Sequence, residues 1–231
     1  MMVSPHVADF LSKISILALP AIFAITLHEA AHGYVALRCG DDTALRMGRV
    51  TFNPLRHIDL VGTVIMPLLL FFTTGFLFGY AKPVPVNFNR LNRPRRDMVW
   101  VALAGPAVNI LLLIVSALLF YVVPYLPSYF QQWFLDNLVV SVELNFVLAA
   151  FNMIPLPPLD GGRVAVGILP DALAFPLARM ERYGLLILIG VLILVPMIGA
   201  RFNMDWNLFG HAVEGPVDWL LSAISKLTGV G

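Results

Sequence analysis

The sequence predicts an all-α polytopic membrane protein, with about five to six membrane segments at roughly 20 residues each plus loops. Three observations carry that expectation. Of the 231 residues, 59% are hydrophobic and 13% are charged, whereas a soluble domain carries about 25% charged residues. Mean hydropathy is +0.83, more apolar surface than a soluble fold of this size can hide. Apolar stretches long enough to cross the roughly 30 Å hydrocarbon core as helices recur along the chain. The reading is a single membrane-embedded domain over 1–231, with its core at about 14–182 and a tail at 200–231.

The elements follow in order. Ile14 to Leu37 is the first apolar segment, with Pro20 as a kink point and Gly40 as a C-terminal stop. A polar loop follows, carrying Asp41, Asp42, Arg46, Arg49, Arg56, His57 and Asp59. Val61 to Tyr80 is apolar again but is interrupted by Pro67 and Thr73–Thr74–Gly75. A basic loop runs from Ala81 to Asp97, and its Pro83–Val84–Pro85–Val86 run is expected to be extended. Met98 to Val123 is the next span, and Tyr125 to Asp136 reads as a loop. Another span starts near Leu138 and ends at Asn152, where prolines at 155, 157 and 158 break the helix. A short helix is expected over Arg163–Leu169 and a last span over Gly184–Ile198. Asn207 to Leu227 reads as an amphipathic, interfacial helix. No internal repeat is present.

Basic residues set the topology. Of fifteen Lys and Arg, most lie in the regions 38–56, 82–96 and 163–182, and the loop from Pro124 to Asn137 has none. The positive-inside rule puts the three basic regions in the cytoplasm and that loop outside. Val61 to Tyr80 then has cytoplasmic flanks on both sides, which predicts a re-entrant hairpin. Arg90 to Arg96 is expected to face anionic headgroups.

Several functions are excluded. A net charge of +1, with no basic run interleaved with aromatics, leaves no signature for nucleic acid. The single cysteine, Cys39, rules out an intrachain disulfide or a cysteine-based metal cluster. The first twelve residues hold no Lys or Arg, so a cleaved signal peptide is not expected.

The chemistry-bearing signal is His28-Glu29-Ala30-Ala31-His32. Residues four apart share a helix face, so two imidazoles can grip one Zn²⁺, and Glu29 beside them can accept a proton from water. Ionisable residues inside an apolar span are costly, by about 2.5 kcal/mol or more each, and three side by side need a reason. A catalytic zinc takes three protein ligands and keeps an open position. Among His6, His57, His211, Glu143 and Asp160, the best third ligand is Asp160, at the end of the proline-broken segment. Gly161 and Gly162 after it permit close approach of another helix or a peptide.

His28-Glu29-x-x-His32, followed downstream by Asn152-x-x-Pro155-x-x-x-Leu159-Asp160-Gly161, resembles the site-2 protease family of intramembrane zinc metalloproteases. Ala104-Gly105-Pro106-Ala107-Val108-Asn109 is similar to that family's Gly-x-x-x-Asn element. Lys82-Pro-Val-Pro-Val-Asn87 and Asn92-Arg-Pro-Arg-Arg-Asp97 resemble its compact prokaryotic members. The resemblance implies that His28, His32 and Asp160 bind zinc, that Glu29 is general base and then acid, and that Asn152 donates to the substrate carbonyl. Asn109 is a further candidate at the substrate, and Val84 and Val86 are candidates for pairing with an unwound substrate helix by strand addition. The loop between the hairpin and the next span, Ala81 to Asp97, leaves no room for a PDZ domain. The implied partners are the lipid bilayer and single-span or other membrane-protein substrates. The implied location is the cell membrane, with the site toward the cytoplasm. An inactive helix-binding relative, a metal or proton transporter and a prenyl-protein protease are the rival readings; a transporter more often shows repeated halves.

Overall fold

The computed structural model describes residues 5–57, 59–65 and 82–230. Helices and loops make up the described residues, with no β-strand among them. Among the described residues, four helical runs are long and apolar enough to cross a membrane: Lys13–Arg38, Pro94–Tyr125, Ser128–Asn152 and Glu181–Arg201.

Three long helices form the centre. Helix α1 (Pro5–Arg38) runs unbroken through Pro20. Helix α2 (Pro94–Leu119) opens with proline in its first turn, and the Asp97 carboxylate accepts the Arg93 N–H at 2.7 Å, so the helix start is capped from inside. Helix α3 (Ser128–Asn152) ends where Met153 to Leu159, with three prolines, cannot continue it. The three pack on one another pairwise. Trp133, near the start of α3, donates to Ser15 Oγ near the start of α1, so α1 and α3 run parallel and α2 returns between them.

Two boundaries and the surroundings of two glycines differ from expectation. The loop read at Tyr125–Asp136 is helical from Ser128 onward. Its Gln and Asp residues bond locally, Gln131 to the Leu126 carbonyl and Gln132 to Asp136 one turn on, so polarity there marks a helix end in water. The short helix begins at Asp160, as α4 (Asp160–Ile168), because a carboxylate is favoured in a first turn. Gly161 and Gly162 do not separate it from another helix. A Cβ at either would strike the chain's own turn at Met153–Pro157. Helix α4 packs on α2, and Arg95 of α2 ties the following turn through the carbonyls of Gly167 and Leu169 and the Asp171 carboxylate.

Helix α5 (Asp171–Arg179) leads into a last apolar run made of α6 (Glu181–Ile189), a π-turn at Gly190–Leu194 and α7 (Val195–Arg201). The tail, read from sequence as an interfacial helix, is α8 (Leu208–Thr228), capped by Asn207, whose side chain accepts the Gly210 N–H. It packs lengthwise on α3. Phe209 meets Phe151 edge to face at 5.6 Å, and Ile224 is buried with Phe120, Val123, Leu138 and Val142 at the far end. Fifteen helical residues separate those contacts, about 22 Å at 1.5 Å per residue.

The re-entrant reading of 61–80 falls largely outside the described residues. Its flanks are described. Asp59 accepts the N–H groups of Val61 and Gly62 at 3.0 and 2.8 Å, and Lys82 N–H donates to the His57 carbonyl at 2.9 Å.

Candidate metal centre and active-site cleft

Helix α1 sets His28 and His32 one turn apart on the face turned to α2, and the break after α3 brings Asp160 to them. All three are buried. The two Nε2 atoms lie 3.1 Å apart, and Asp160 Oδ2 is 3.3 Å from each. A helix rise of 1.5 Å per residue puts His32 about 9 Å and His28 about 15 Å inside Arg38, the basic end of the span.

The outer nitrogens decide what the inner ones present. His32 Nδ1 is 2.7 Å from the Val101 carbonyl, and His28 Nδ1 is 2.6 Å from Asn109 Oδ1. Both oxygens only accept, so each Nδ1 carries the hydrogen and each Nε2 is a lone pair, an assignment made from the hydrogen-bond network. Three acceptors thus face one another: two imidazole nitrogens and a carboxylate oxygen that is buried with no hydrogen-bond partner. A proton answers only one of those gaps, whereas a divalent cation answers all three. Two nitrogens and one oxygen suit zinc, and the donors fit a three-ligand site with an open position. The hydrogen bonds behind the imidazoles are of the kind that orients metal-binding histidines.

Gly105 makes the approach of α2 possible. A Cβ there would stand 2.5 Å from both Nε2 atoms. One turn further along α2 is Asn109, fully buried and bonded to His28 rather than open to the cleft.

Beside the three ligands lies a cavity of about 360 Å³, lined by Glu29, Val84, Val86, Asn152, Leu159 and Arg163 among others. Glu29 Oε2 accepts the Val84 N–H at 2.7 Å. Asn152, the last residue of α3, gives one amide hydrogen to the Leu148 carbonyl at 3.0 Å and keeps a second. The 82–87 segment over the cavity has no regular secondary structure. Its far end is fixed from outside the bundle, where Asp41, fully buried, accepts the Asn87 N–H at 2.6 Å together with the Thr43 hydroxyl and N–H. Burial works against the charge on Asp41, but the Thr43 hydroxyl, the Asn87 and Thr43 N–H groups and nearby Arg90 outweigh it, holding its carboxyl below the ordinary range.

The remaining sequence candidates lie elsewhere. His57 is buried, with Nε2 on the Thr51 carbonyl, and His211 pairs with Asp205 at 3.0 Å on an exposed face. Two supports carry no signal in the sequence: the Val101 carbonyl, a backbone atom, and Asp41, one carboxylate among several in a polar loop.

The chain is 35% identical over 213 residues to a Bacillus subtilis protein named as a zinc metalloprotease, YwhC, a match covering 86% of this chain and 93% of that one. The chain belongs to the site-2 protease family. Two mycobacterial proteins named as zinc metalloproteases, both Rip2, are further relatives. That of Mycolicibacterium smegmatis is 26% identical over 90% of this chain and 77% of its own. That of Mycobacterium tuberculosis is 29% identical over 78% and 67%. No family model and no solved structure matches the chain. For a site-2 protease, the two motifs of the sequence would supply one centre, and in this structure they lie within 3.3 Å of each other.

Proposed function

We propose that this protein is a zinc-dependent intramembrane endopeptidase that hydrolyses peptide bonds in or near transmembrane helices of membrane proteins. The observation that carries the reading is the convergence of three acceptor atoms, His28 Nε2, His32 Nε2 and Asp160 Oδ2, beside a glutamate in a cleft within an apolar bundle. A bound Zn²⁺ supplies Lewis acidity, acidifying water and polarising a carbonyl. His28, His32 and Asp160 hold it. Glu29 takes the proton of the attacking water and later gives it to the leaving amine. The free amide hydrogen of Asn152 is directed at the developing charge on the carbonyl oxygen. Asn109 acts through His28 and not on the substrate.

The cleft sits at the end of α1 that carries the basic loops, which supports a site opening toward the cytoplasm of a multi-pass cell-membrane protein. The hydrogen bond from Lys82 N–H to the His57 carbonyl supports the two flanks of the 61–80 stretch lying on the same side of the membrane. Contacts from Phe209 to Ile224 support α8 as a fifth membrane-crossing element. The rim segment Pro83–Val86 is the proposed docking edge for an unwound substrate. Pro83 and Pro85 have no N–H, and that of Val84 is held by Glu29, so this edge meets a peptide mainly through its carbonyls.

Glu29→Gln tests the reading. It is expected to keep zinc and lose cleavage of a membrane-protein substrate by about 10²–10⁴-fold, the scale of general acid–base catalysis. Undiminished cleavage would remove Glu29 from its role.

A further inference from the structure

Behind His28 the polar contacts continue past Asn109. Asn109 Nδ2 donates to Asn145 Oδ1 at 2.8 Å, and Asn145 Nδ2 donates to the Ser141 carbonyl at 2.8 Å and to Ser141 Oγ at 3.3 Å. Ser141 Oγ lies 2.7 Å from Ser116 Oγ on α2. Asn109 and Asn145 are 0% and 1% exposed, among apolar helices where an unbonded amide is costly. Nothing in the cleft uses Asn145.

The row has a direction. A backbone carbonyl only accepts. The Ser141 oxygen therefore draws the Asn145 amide nitrogen, which turns Asn145 Oδ1 toward Asn109. Asn109 meets that oxygen with its own amide nitrogen, and this leaves Asn109 Oδ1 for His28. An amide oxygen brings no hydrogen, so His28 Nδ1 must supply it and His28 Nε2 is left as a lone pair. The Ala24 carbonyl, 3.4 Å from Asn109 Nδ2, gives only a weak second constraint.

We propose that Asn145 is a positioning residue of the metal centre. Acting through Asn109, it fixes the tautomer and ring orientation in which His28 presents Nε2 to the cation. The tautomer is thereby set by the Ser141 carbonyl on α3, three hydrogen bonds from the imidazole. This rests on the reading of His28, His32 and Asp160 as zinc ligands.

The test uses the full chain in detergent. Zinc affinity is measured by competition with a chromophoric chelator, and ligand geometry by the absorption bands of the Co²⁺-substituted protein. Asn145→Leu is expected to weaken zinc binding by about tenfold or more, the range of outer-shell changes, and to shift the cobalt bands. Asn109→Asp keeps an acceptor for His28 but offers no N–H to Asn145. In that background, Asn145→Leu is expected to change zinc affinity by less than about twofold, as the logic of a double-mutant cycle requires. Native zinc affinity in Asn145→Leu, or the same loss in both backgrounds, overturns the proposal. Should Asn145→Leu not fold, Asn145→Ala takes its place with the same criteria, since it neither accepts from Asn109 nor donates to the Ser141 carbonyl. His32→Ala separates the two levels. If it binds zinc as the native chain does, the ligand reading itself falls; if it loses zinc while Asn145→Leu does not, only the role of Asn145 falls.

Discussion

The two sides of the proposed catalytic centre are built from different materials. The ligand side is buried. His28 and His32 are backed by α2 through the Asn109 amide and the Val101 carbonyl, both inside the bundle, and Asp160 is buried beside them. The cleft side is a rim. Glu29 is held by one N–H of a loop whose other end is tied to Asp41, beyond the membrane span. The difference separates two requirements. A cation site needs fixed donors, which packed helices provide. A peptide and a water need an opening, which a segment without helix or strand provides. Damage to the first side should appear as lost zinc, and damage to the second as lost turnover with zinc in place.

The largest effect is expected at Asp160. Asp160→Ala removes the only oxygen of the donor set and should bring zinc content close to zero by metal analysis, with cleavage lost alongside. Gly105→Ala should weaken zinc binding by about 10–100-fold, because its methyl group would stand 2.5 Å from both Nε2 atoms; native affinity would mean that α2 yields more easily than a packed helix should. On the cleft side, Val84→Pro removes the hydrogen on Glu29 and should lower cleavage about tenfold, in keeping with the roughly 1.5–3 kcal/mol of a hydrogen bond to a charged group. Val84→Ala, which keeps the N–H, should stay within about threefold in cleavage, and both variants should keep native zinc affinity. If Val84→Pro also loses zinc, the two sides are not separable.

The smallest expected effect is the pH dependence carried by Asp41. Its carboxyl is held below the ordinary value in the folded protein, so ionisation stabilises the fold. That contribution is fully present above the unfolded value, about 3.9, and is lost as pH falls through the lower folded value. Thermal melts of the native chain and Asp41→Asn should therefore differ near neutral pH and converge below about pH 4. A constant difference would assign the effect to packing.

What could be read in the sequence follows from the range of each interaction. His28 and His32 were legible because residues four apart share a helix face, with Glu29 next to them in the chain, and Asp160 because prolines force the chain to break just before it. The supports were less legible. The Val101 carbonyl is a backbone atom with no side-chain signature. Asp41 looks like any loop carboxylate until Asn87, far along the chain, is seen to rest on it. Asn145 is an uncharged polar residue in a span, and only its row of contacts distinguishes it from a packing residue. The start of α3 was missed because the polar residues at its outer end resemble a loop.

The two prolines beside Val84 have a consequence for what can be cut. If Pro83–Val86 is the docking edge proposed above, a rim whose Val84 N–H is held by Glu29, leaving only that of Val86, offers mostly oxygen and would sort incoming chains by their nitrogens. A segment that arrives with free main-chain N–H groups can be held in line across the cleft. One with an imino acid at the paired position brings no hydrogen and slips, whatever its side chains. Selectivity of that kind is written in the backbone of the substrate and would appear in a set of cleaved peptides as a gap where proline should be.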